Sequence, residues 1–135
     1  MSVTGGCLCG AVRYRIDGEV GPAGYCHCAD CRKVTGSAFN VGVTVALGDF
    51  IIEGEPAAFT KRADSGRELT RHFCSECGSP IYTSAPAHPG SVFVKAGSLE
   101  DPTLVRPVSE AWCASKVDWA DIPAAIPSFE HGSSQ

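Results

Sequence analysis

Glu68-Leu69-Thr70-Arg71-His72-Phe73-Cys74-Ser75-Glu76-Cys77-Gly78 runs from a strand-like segment straight into a pair of cysteines. The first six residues follow a hairpin-type turn, Ala63-Asp64-Ser65-Gly66, and read as one arm of a hairpin. The last five form a knuckle in which the trailing glycine lets backbone amides turn toward the sulfurs. A strand that ends in a knuckle predicts a β protein held together by metal.

Working outward, short runs rich in β-branched and aromatic residues recur on both sides. Upstream lie Ala11 to Ile16, with alternating side-chain character, then Phe39 to Val45, Phe50 to Glu53 and Ala58 to Lys61. Gly18 to Gly24 has loop composition. Downstream, Pro80 to Thr83 and Val92 to Ala96 flank a loop from Ala85 to Ser91, and Ser98 to Pro102 reads as a turn. Val105 to Trp112 predicts a last strand, confined to an edge or a bulge by Pro107. Between residues 113 and 127, Pro123 and Pro127 allow a short helical turn and no long helix. Many short strands separated by Gly and Pro predict a mainly β sandwich or barrel with little helix.

The chain has 135 residues, which suits a single domain, residues 1–135, since domains commonly run to roughly 100–150 residues. The core is expected over about residues 5–120, with His131 to Gln135 a mobile tail. A formal net charge of −4 argues against binding phosphate backbones, which requires clustered Lys and Arg. Neither a secretory signal nor a membrane-spanning run is evident, so a reducing, cytoplasmic setting is expected. Eight cysteines in that setting read as metal ligands or reactive thiols rather than disulfides.

Cys7-Leu8-Cys9 and the knuckle cysteines Cys74 and Cys77 together supply four thiolates. Two tight pairs far apart in sequence fit a closed, tetrahedral structural zinc better than four buried apolar cysteines. Cys26-His27-Cys28-Ala29-Asp30-Cys31 supplies three more, with no fourth cysteine nearby. Three protein ligands leave a position for substrate, as in catalytic zinc. Three thiolates make the metal a modest Lewis acid, able nonetheless to accept a small thiol by lowering its pKa. His27, Asp30 or Cys113 could instead close the site. A redox role for Cys28 and Cys31 needs a strand-to-helix context in a βαβ unit, which this strand-rich sequence does not predict.

Asp30 is expected to cap a helical turn through Arg32, Lys33, Val34 and Thr35 that Gly36 ends. Arg32 and Lys33 are either solvated charge or an attraction for the carboxylates of an anionic thiol such as glutathione. His27 reads as a filler between ligands, His72 as a strand surface residue, and His88 and His131 as loop and tail residues. Trp112 and Trp119 read as core or rim packing rather than a substrate platform.

These ordered motifs resemble the glutathione-dependent formaldehyde-activating enzymes, the GFA or CENP-V/GFA-domain family. The likeness rests on Gly6 to Val12, Cys26 to Lys33 with Gly36 to Phe39, Phe73 to Gly78, Ala96 to Leu99, and Glu110, Trp112, Ser115 and Trp119. It implies an Mss4-like β fold, a structural zinc on Cys7, Cys9, Cys74 and Cys77, and a second, catalytic zinc on Cys26, Cys28 and Cys31, the second possible to lose. It also implies the joining of formaldehyde and glutathione into S-hydroxymethylglutathione, formally a carbon–sulfur lyase running in the synthetic direction. A carrier of glutathione or zinc, and a zinc-ribbon interaction module, are the alternatives; the last rests on fold analogy alone.

Overall fold

A computed structural model describes residues 2–123 and 125–132 of the chain. Strands β1 (Val3–Gly6), β2 (Arg13–Ile16) and β5 (Phe50–Glu53) form a small antiparallel sheet in the order β1-β2-β5. A seven-stranded sheet contains β3 (Ala23–Cys26), β4 (Asn40–Ala46), β6 (Ala57–Arg62), β7 (Glu68–Phe73), β8 (Pro80–Ser84), β9 (Ser91–Lys95) and β10 (Pro107–Ala111). Its order is β10-β3-β4-β9-β8-β7-β6. The one α-helix among the described residues is α1 (Ala29–Thr35), which follows β3. The chain is mainly β, as its composition predicts, and since neither sheet closes on itself the barrel half of the expectation does not hold.

Alternation along the strands puts one face of each sheet into a shared core. Tyr14, Ile16 and Phe50 of the small sheet pack with Val43, Val45, Ile81, Val92 and Val94 of the large one. Ile16, Val43, Ile81 and Val94 are wholly buried, and each such side chain contributes about 1.5–3 kcal/mol of transfer free energy. The Phe50 ring bridges the sheets, its centroid 5.2 Å from Tyr14 and 4.9 Å from Tyr82. Burial pushes the Tyr14 phenol up to about 12, and its hydroxyl is satisfied by Ser98 Oγ at 2.6 Å.

Two strands escape the sequence pattern. Ala23–Cys26 lies partly in the stretch read as loop, yet it forms β3, hydrogen-bonded to β4 on one side and to β10 on the other. Neighbours supply the ladder that Gly24 does not favour on its own. β1, with the sequence Val-Thr-Gly-Gly, forms in the same way against β2. β10 is an edge strand with a register shift between Pro107 and Glu110, as the proline requires, and it pairs with β3 in parallel.

The end of the chain is tied down further than expected. Trp112 N–H donates to His131 O at 2.9 Å, Cys113 N–H to Phe129 O at 2.9 Å, and Glu110 N–H to Pro127 O at 2.9 Å. His131 is thus held in place, while Ser133 to Gln135 lie outside the described residues. Trp112 adopts a left-handed φ of 58°, at a cost of about 1–2 kcal/mol for a residue with a Cβ. The turn it makes carries the chain from β10 to Cys113.

Candidate metal centre

The four-cysteine group forms where two turns meet, one from each sheet. After β1, Cys7 N–H donates to Val12 O at 3.0 Å and Val12 N–H to Cys7 Sγ at 3.3 Å, which folds Cys7 and Cys9 together. Between β7 and β8, Gly78 takes a φ of 79° and donates to Cys74 O at 2.8 Å, closing the knuckle. Leu8 N–H donates to Ser79 Oγ at 3.0 Å and joins the turns. The four sulfurs lie within 4.8 Å of one another.

Zinc with sulfurs about 2.3 Å away places neighbouring sulfurs about 3.8 Å apart in a tetrahedron. The Cys7–Cys9 and Cys9–Cys74 separations are 3.7 Å each. The donor set therefore fits a four-coordinate metal ion. Hydrogen bonds prepare part of it for ionisation: the Val12 amide lowers Cys7, and the Ser79 hydroxyl holds Cys77 down to about 5.

The three-cysteine group is built from one continuous segment. Cys26 ends β3, Cys28 precedes α1, and Cys31 is buried in its first turn. Their sulfurs also lie within 4.8 Å of one another. Cys28, rather than Asp30, caps the helix, its Sγ accepting the Cys31 N–H at 3.3 Å. Asp30 lies one residue inside and pairs with Lys61 Nζ at 2.7 Å. Gly36 ends the helix as expected, with a φ of 66°.

Crowding makes the three thiols unequal. Hydrogen bonds from the Cys26 and Cys31 thiols pull Cys28 down to about 2, with help from the Cys31 amide and the Arg71 guanidinium. Cys26 is pushed up to about 11, chiefly by Cys28, and Cys31 is pushed up by Cys26 and Cys28 together. One thiolate is favoured and its neighbours keep their protons, so full ionisation needs a cation between them. The set can thus hold a metal ion by three sulfurs.

None of the three candidate closing ligands joins this set. Asp30 is paired with Lys61, while His27 and Cys113 belong to a separate cluster with Glu110. In that cluster His27, wholly buried, meets Glu110 Oε1 through Nε2 at 2.9 Å, and Lys116 Nζ donates to the same oxygen at 3.0 Å. Ser128 Oγ donates to Oε2 at 3.1 Å. Burial opposes ionisation of Glu110, but the bonds from Lys116, His27 and Ser128 outweigh it and hold the carboxyl below its usual range. The Lys116 ammonium already supplies the cation there. His27 is therefore an anchor for the Cys26–Cys28 loop rather than a filler.

Cys26 and Cys31 open onto a trough of about 340 Å³ on the outer face of the large sheet. Arg71 and Lys95 line it, each only 9% exposed. Arg32 and Lys33 do not line it. Lys95 Nζ donates to Asn40 Oδ1 at 2.7 Å, and burial pushes its ammonium below the usual lysine range. Sequence reading passed over both residues; the available signal was a cation inside an otherwise strand-like run, as in Val92-Phe93-Val94-Lys95.

Comparison with known proteins agrees with this geometry. A protein of Halomonas elongata, provisionally named a glutathione-dependent formaldehyde-activating enzyme, is 30% identical over 132 residues, covering 90% of this chain and 82% of that protein. A crystal structure of a Rhodobacter sphaeroides protein superposes with a TM-score of 0.57 at 22% identity, covering 72% of this chain and 87% of that one, which shows a shared fold. The family described as glutathione-dependent formaldehyde-activating enzyme matches residues 2–115. Those matched residues hold every cysteine of both metal-competent groups, and the chain belongs to that family.

Proposed function

We propose that the protein is a zinc-dependent carbon–sulfur lyase acting on adducts of a small thiol and an aldehyde, with glutathione and formaldehyde giving S-hydroxymethylglutathione. Cys7, Cys9, Cys74 and Cys77 hold a structural zinc, and Cys26, Cys28 and Cys31 hold a second. The observation that carries this reading is the opening of the three-cysteine group onto a trough lined by two buried cations. A four-sulfur site is closed; a three-sulfur site beside a cavity is not. When bound at the three-cysteine group, zinc would supply a Lewis acid that lowers the pKa of an incoming thiol.

The chain's own residues do the rest. The trough orients the thiol sulfur toward the aldehyde carbon, a carbon–sulfur bond forms, and the carbonyl π pair moves onto oxygen. Lys95, held by Asn40 and made more acidic by burial, donates to that oxygen, while the proton lost by the thiol passes to solvent, from which Lys95 is reprotonated before the next turnover. In the reverse direction Lys95 accepts that oxygen's proton back. The His27–Glu110 bond and the Cys28 cap fix the cysteine loop during both directions.

Such chemistry needs a reduced thiol pool, and a cytoplasmic setting would supply one. Among the described residues no helix is long and apolar enough to cross a membrane. The test is exchange NMR of glutathione with formaldehyde, using protein purified without chelator and carrying about two zincs per chain. Acceleration above the spontaneous rate, lost in Cys28→Ser, supports the proposal. A spontaneous rate unchanged across several thiols sinks it and leaves a carrier.

A further inference from the structure

Gly24 and Gly42 stand directly opposite each other in β3 and β4, two inner strands of the seven-stranded sheet. Strand register places both on the outer face, together with Cys26, Asn40 and Lys95, while Val43 and Val94 point into the core. Glycine weakens a strand, so its presence in an inner one requires a reason. Backbone conformation is not the reason, since neither residue has a positive φ. Packing is not the reason at Gly42 either: an added Cβ would meet only Asn40 Nδ2 at 3.5 Å and Phe93 Cβ at 4.0 Å, both ordinary contacts. At Gly24 an added Cβ would press on Ser109 Oγ at 3.0 Å, so close packing explains that glycine; what Gly42 provides is empty space on the floor of the trough.

Arg71 stands over the same trough. It is buried, and no carboxylate among the described residues lies within ion-pair distance of it, although Arg13, Arg15, Lys61 and Lys116 each have one. A planar guanidinium without a carboxylate partner, facing a cavity, suits two-point binding of a ligand carboxylate.

Resting on the proposed function, we infer that Gly42 and Arg71 determine which thiol the site accepts. The floor admits the extended body of a carboxylate-bearing thiol whose sulfur reaches the three-cysteine group, and Arg71 binds its carboxylate. A compact neutral thiol uses neither feature.

The experiment compares glutathione with 2-mercaptoethanol in adduct formation with formaldehyde, using zinc-loaded wild type, Gly42→Ala, Gly42→Val and Arg71→Met. The ratio of kcat/KM for glutathione to that for 2-mercaptoethanol is expected to fall at least tenfold in Gly42→Val and in Arg71→Met, with Gly42→Ala intermediate. Gly42→Ala, whose Cβ the fold accommodates, decides the matter if valine prevents folding. An unchanged ratio in every folded variant overturns the inference. Calorimetric binding of glutathione separates this inference from the reading beneath it. If wild type binds glutathione without turnover and Gly42→Ala and Arg71→Met bind it more weakly, the trough stands and the lyase falls. If wild type does not bind glutathione, or the variants bind it equally, the trough falls.

Discussion

The four-cysteine and three-cysteine groups use the same ligand atoms and are built in opposite ways. The first gathers two turns from two different sheets, with Cys9 and Cys74 separated by 65 residues. The second gathers three sulfurs from one segment, Cys26 to Cys31, and spans no sheet boundary. Metal in the first crosslinks distant chain, and metal in the second only shapes a loop beside a cavity. Under the proposed function, identical chemistry would serve folding in one place and reactivity in the other, with connectivity deciding which.

The most severe way to break this contrast is to remove one sulfur from each group. Cys74→Ser is expected to abolish cooperative unfolding, because structural zinc contributes about 10–16 kcal/mol in small zinc domains, as much as the whole stability of a typical domain, about 5–15 kcal/mol. Cys28→Ser is expected to keep a cooperative melt close to wild type while losing one zinc per chain. Circular dichroism melts with metal counting check both; variants that melt alike would dissolve the distinction.

A smaller effect tests the support of the open group. Glu110 belongs to neither cysteine group, yet it anchors His27 between Cys26 and Cys28. Glu110→Ala is expected to cost about 1–3 kcal/mol by leaving the buried His27 Nε2 without its hydrogen-bond partner, and to speed metal transfer from the three-cysteine group to a chelator. Urea denaturation and chelator kinetics read the two effects separately. A stability loss with no change in zinc release would make His27 part of the core alone.

The smallest effect concerns protons. Without metal, Cys26 and Cys31 are both raised and keep their protons at neutral pH, whereas Cys28 is lowered. Zinc uptake by this group then releases the protons of Cys26 and Cys31, so affinity rises with pH and falls as pH drops, by roughly a hundredfold, or about 2.7 kcal/mol, per unit near neutrality. Calorimetry in buffers of different ionisation enthalpy, on protein whose four-cysteine group is already filled, counts them directly.

Much of this was legible in the sequence, because both cysteine groups are encoded by spacing and the strands from β4 to β9 by side-chain type. β1 and β3 were not, since Gly24 fell in a stretch read as loop, Val3 to Gly6 carried no strand pattern, and both segments become strand only when neighbours offer a ladder. Arg71 and Lys95 were hidden for a related reason. Their importance lies in which face of the sheet they share with Cys26, and that follows from pairing register rather than local composition. Asp30 looked like the helix cap because carboxylates usually take that place; here a sulfur two residues earlier does so.

The separation of 65 positions between Cys9 and Cys74 also sets a schedule. At roughly 5–20 residues per second of synthesis, the first cysteine pair waits about 3–13 s for the second to be made. Cys26, Cys28 and Cys31 are complete well before then. A nascent chain thus completes its three-cysteine group before its four-cysteine group can exist.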